Sequence, residues 1–94
     1  MTKLIIGLRN NSVGYYENPL MFVGTKEQAS ETYARGYVAN KGTREHALMK
    51  ECDLVLIGEW DDKTCKMTTL DMPEVLVHFA SVLSEEQKDV KANS

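Results

Sequence analysis

The sequence predicts a small α+β domain, with an antiparallel sheet of three to four strands covered by two helices. Three observations lead there. Apolar residues alternate in Leu4, Ile6 and Leu8 and again in Leu54 and Leu56, the period of strands. Thr25 and Gln28 head a segment in which Ala29, Tyr33 and Tyr37 recur every fourth residue, which reads as a capping box followed by a buried helical stripe. The chain has 94 residues, enough for one core but not two.

Each element follows from its residues. Lys3 to Arg9 forms the first strand, with Leu4, Ile6 and Leu8 on one face and Ile5 on the other. Asn10-Asn11-Ser12 supplies turn chemistry. Gly14-Tyr15-Tyr16 starts a second strand, and Leu20 to Val23 resumes it after Asn18-Pro19. Proline cannot donate to a strand ladder, so Pro19 implies a sheet edge or a bulge. The helix from Thr25 closes at Asn40-Lys41-Gly42, and Thr43 caps a short helical turn through Ala47, Leu48 and Met49.

Cys52 to Trp60 is the clearest strand. Leu54, Leu56 and Trp60 are expected on one face, and Val55 and Ile57 on the other. Apolar residues on both sides mark a central strand. Asp61 to Thr64 is a turn, with Cys65 to Leu70 as the returning partner. Asp71 then opens a predicted last helix, with Glu74 at its third position and a stripe of Met72, Val75, Leu76, Phe79 and Leu83. Val77 and Val82 widen that stripe and are expected at the interface of a homodimer. Residues 1–83 are read as the single domain and residues 84–94 as a polar tail.

The composition excludes several classes. The formal charge is −3 and 43% of residues are hydrophobic, which fits neither a histone-like binder nor a disordered chain. Basic residues outnumber acidic ones before Glu45, and acidic ones dominate from there on. The apolar run Leu4-Ile5-Ile6 is too short for a signal peptide or a membrane span, so no membrane partner is expected. Cys52 and Cys65 lack metal-ligand spacing and read as free thiols. His46 and His78 each lack a second ligand one helical turn away, so no metal site is expected. Asp61 and Asp62 are explained by turn preference, and a catalytic role for the pair is the weaker reading. There is no nucleotide-binding glycine loop and no recognisable nucleophile setting, so neither a catalytic residue nor a cofactor is expected.

One group carries binding chemistry. Arg9, Tyr15, Tyr16, Lys26 and Arg35 combine rings with cations. Single-stranded nucleic acid is held that way, with bases stacked on rings and phosphates on cations. The alternative is a protein-interaction module that binds a host or phage factor through a sheet edge or helix face, without nucleic acid.

Several segments resemble, in order and spacing, the small nonstructural protein of gokushovirus-type microviruses, bacteriophages with circular single-stranded DNA. They are Leu4-Ile5-Ile6-Gly7-Leu8-Arg9, the run from Gly14 to Phe22, the helix with Glu27, Ala29 and Tyr33, and the run from Cys52 to Thr64 ending Gly58-Glu59-Trp60-Asp61-Asp62. The match spans roughly Leu4 to Leu70. It departs at Leu20-Met21-Phe22, where the family commonly has Phe-Phe, and in the segment after Leu70. The resemblance implies a nonstructural protein in the cytoplasm of the infected bacterial host, an accessory in DNA replication or genome handling. No catalytic residue belongs to the family pattern.

Overall fold

The computed structural model describes residues 2–82. Four strands and two helices run in the order β1 (Thr2–Asn10), β2 (Tyr15–Phe22), α1 (Lys26–Ala39), α2 (Arg44–Met49), β3 (Cys52–Asp61) and β4 (Lys66–His78), followed by a 3₁₀ turn at Phe79–Ser81. The sheet order is β2-β1-β3-β4, and every neighbouring pair is antiparallel. The expected α+β class is therefore present. β2 and β3 run parallel with β1 between them, so the chain joining them must cross β1, and α1 and α2 make that crossing.

The local signals explain most boundaries. The Thr25 hydroxyl accepts the Gln28 N–H at 3.1 Å and the Gln28 side chain accepts the Thr25 N–H at 2.8 Å, completing the capping box of α1. Thr43 caps α2 by accepting from the His46 N–H at 3.1 Å. Pro19 lies on edge strand β2 at a register shift, beside Asn18 at φ 53°, so its missing donor interrupts no central ladder. The β3–β4 turn brings Asp61 opposite Lys66, and the Lys63 N–H donates to the Asp61 carboxylate at 2.9 Å. Asp61 thus serves the turn.

The core lies between the sheet and α1. Leu4, Ile6, Leu54, Leu56 and Val77 come from the strands, Tyr37 from α1 and Phe79 from the 3₁₀ turn. The Tyr37 ring meets Phe79 at 5.2 Å and stacks on His46 at 4.0 Å, and the His46 Nδ1 bonds the Tyr37 carbonyl at 2.9 Å. His46 is a core-edge residue. Cys52 is buried and Cys65 exposed, both as free thiols. Burial, helped by the charges of Glu17, Asp53 and Glu51, pushes the Cys52 thiol pKa up.

The last expected helix is not formed. Residues from Asp71 to His78 continue β4, and the second helix of the sheet's cover is α2. Apolar spacing at 72, 75, 76 and 79 fits a helix, but Val75 and Val77 are β-branched and suit a strand equally well. The tight 62–65 turn lays the chain along the free edge of β3, whose backbone groups need partners. Val77 pairs with Leu54 and is 9% exposed, while Val82 packs against the same core. The apolar surface that placed a dimer interface at Val77 and Val82 is therefore taken up inside the chain. Leu83 and the tail at 84–94 lie outside the described residues.

Besides the shift at Pro19 and an unpaired residue at Leu76 of β4, two irregularities meet at Ile57. Ile5 pairs with Gly58 but Ile6 pairs with Leu56, so β3 has a bulge at Ile57. On β4, Thr69 pairs with Gly58 and Glu74 with Leu56, so Leu70 to Pro73 bulge out opposite Ile57. The backbone of β4 comes so close there that a Cβ on Gly58 would overlap the Thr68 carbonyl oxygen and stand 2.8 Å from Thr69 Cα. Only glycine fits.

Candidate nucleic-acid interface

Directly paired residues of antiparallel strands share a face. Leu4, Ile6 and Leu8 point toward the helices, so Lys3, Ile5, Gly7 and Arg9 point to the open side. Their partners define that side. Arg9 pairs with Tyr16 and Asp53, Ile5 with Met21 and Gly58, and Lys3 with Trp60. Val75 and Met67 of β4 join through Val55 and Trp60.

Trp60 is on this face because of the β3 bulge. A regular strand would keep Leu54, Leu56 and Trp60 together, as the alternation predicts. The extra residue at Ile57 shifts the alternation, so Trp60 ends opposite Lys3 while Leu54 and Leu56 stay in the core.

Two cation–ring pairs result. The Lys3 Nζ stands 5.3 Å from the Trp60 ring centroid, and the Arg9 guanidinium carbon stands 5.9 Å from that of Tyr16. Both lie within the range of cation–π attraction. Lys3 and Arg9 are six residue steps apart along β1, a span of about 20 Å at the usual strand rise. Between them lie Ile5 and Val55, both buried, with Met21 and Val75 exposed beside them.

Acids lie on both sides of the sheet. Glu17, Glu59 and Glu74 pair with Leu8, Leu4 and Leu56, which places them at helix-side positions. The cations of the open face have two acids beside them: Asp53, whose carboxylate bonds the His78 ring, and Asp62 at the turn, close enough to Lys3 to feel its charge.

The five residues singled out in the sequence separate into two groups. Arg9 and Tyr16 meet on the open face. Tyr15 sits opposite Asn10 at the end of β2, at a helix-side position, and is 71% exposed. Lys26 and Arg35 belong to α1, in the layer behind the sheet. Lys26 bridges to Glu74 at 3.1 Å, and Arg35 pairs with Glu31 one turn away. Lys3 and Trp60 were missed. The signal for Lys3 was its parity with Arg9. The signal for Trp60 was the isolated glycine inside its strand, which marks a bulge.

Among the described residues no cluster of three or more His, Cys, Asp or Glu is arranged to hold a metal ion, and no helix is long and apolar enough to cross a membrane. Comparison with known proteins finds no matching family model, no similar curated protein and no similar solved structure. The chain is defined by its own geometry as a four-stranded α+β protein with one helix-covered face and one open face.

Proposed function

We propose that this chain is a nonstructural accessory protein of a single-stranded DNA bacteriophage, and that it binds single-stranded DNA on the open face of its sheet. It would act in DNA replication or genome handling in the cytoplasm of the infected bacterium. The phage setting rests on the sequence resemblance. The binding rests on one observation, the placement of Arg9–Tyr16 and Lys3–Trp60 on the same face. Each pair sets a phosphate-binding cation beside a ring on which a base can stack, and the exposed Met21 and Val75 add apolar contact between them.

The net charge of −3 works against tight binding to a polyanion. With two cations on the face, binding is weak and its salt dependence shallow, with a slope of about −1.4 in log K against log salt. Fluorescence anisotropy with a labelled oligothymidylate of about 20 nucleotides at low salt tests it, since such lengths exceed the usual site of about 4–16 nucleotides. Binding below about 100 μM that weakens as salt is added supports the reading. No binding at that concentration overturns it.

A further inference from the structure

One row of side chains on the open face crosses all four strands. Tyr16 of β2 pairs with Arg9 of β1, Arg9 with Asp53 of β3, and Asp53 with His78 of β4. The His78 ring bonds the Asp53 carboxylate through Nδ1, with the His78 side chain half exposed and that of Asp53 largely covered. Given the assignment of the open face to single-stranded DNA, on which this rests, we infer that His78 is a third phosphate contact of the face, made when its imidazole is protonated, so that binding tightens in mildly acid solution.

The register places His78 within reach. Two strand spacings separate it from Arg9, a distance of about 10 Å. A DNA strand that leaves Arg9 on the side away from Tyr16 covers that distance in about three nucleotides at the stacked rise of about 3.4 Å. The hydrogen bond to Asp53 then decides what the phosphate meets. A carboxylate only accepts, so the neutral ring carries its proton on Nδ1 and leaves a lone pair on Nε2. In that state Arg9 and Asp53 cancel, and the row has no net charge. Protonation turns Nε2 into a donor, sets an imidazolium against the Asp53 carboxylate and gives the row a charge of one.

The surroundings leave this response to His78. Imidazole is the side chain that ordinarily titrates between about pH 5 and 8. The charged groups facing His78 are Asp53 on β3 and, one strand further, Arg9 on β1. The 3₁₀ turn that follows, Phe79–Ser81, carries no charge, and Lys26 of α1 meets Glu74 of β4 on the helix side. The other histidine, His46, stacks on Tyr37 behind the sheet.

The test is an anisotropy titration of the full-length protein with labelled oligothymidylate, whose bases do not titrate in this range, at about pH 8 and about pH 5.5. Acidification should tighten binding about tenfold at about 20 mM salt and steepen the salt slope from about −1.4 to about −2.1, the increment of one cation. His78→Gln should abolish both changes. Asp53→Asn, which keeps an acceptor for the His78 ring, should tighten binding at the higher pH by removing the acid beside Arg9. Circular dichroism at each pH checks that the variants fold. Binding that is the same at both pH values, or a pH response that His78→Gln retains in full, overturns the role of His78 and leaves the open face assigned to single-stranded DNA. Absence of binding at both pH values overturns both.

Discussion

The two faces of the sheet are built from the same four strands yet do different work. Toward the helices, Ile6 and Leu54 are 0% and 1% exposed beneath Tyr37 and Phe79. On the open side, burial is confined to the middle. Val55 is 1% exposed there, while Met21, Met67 and Val75 at the flanks remain accessible. Neighbouring strands thus bury the centre of the open face without a helix layer. Ile57 contributes by lying over Gly7, with its Cδ1 3.1 Å from where a Cβ on Gly7 would stand. The covered face holds the fold together, and the open face is free to carry rings and cations.

If the faces divide stability from binding in this way, substitutions on each should separate the two. The largest effect is expected from Phe79→Ala on the covered face. Phe79 is fully buried against Tyr37, and its loss should cost about 3–5 kcal/mol in urea unfolding. Gly58→Ala breaks the division itself, because the bulges meet at that residue. Forcing β4 away should cost about 2 kcal/mol by analogy with overpacked cores and should also weaken oligonucleotide binding by moving Trp60. Tyr16→Ala should do the reverse of Phe79→Ala. Its side chain is half exposed, so the unfolding midpoint should hardly move, while anisotropy should show a loss of about 1–3 kcal/mol, the worth of one stacked base. The smallest effect is expected at Thr25→Ala, which removes the α1 cap at a cost of about 1 kcal/mol and leaves oligonucleotide affinity unchanged.

The elements closest to local rules were legible in the sequence. The alternation of Leu4, Ile6 and Leu8, the Thr25–Gln28 box and the edge position of Pro19 all depend on neighbouring residues, and all are present. The segment from Asp71 was not legible, because its apolar spacing satisfies a helix and a strand together and the open edge of β3 decides between them. The candidate site was half legible for the same reason. Arg9 and Tyr16 pair across a hairpin that neighbouring residues specify. Lys26 and Arg35 belong to a helix whose placement behind the sheet is a tertiary fact. Trp60 depends on a bulge that only Gly58 hints at.

Trp60 also offers the most direct test, because it is the only tryptophan in the chain. Its emission reports on the open face alone. Titrating the folded protein with unlabelled oligothymidylate at low salt should quench that emission in step with binding, and added salt should restore it. Emission that stays constant up to about 100 μM oligonucleotide, where even non-specific binders are occupied, would contradict the assignment of the open face to single-stranded DNA.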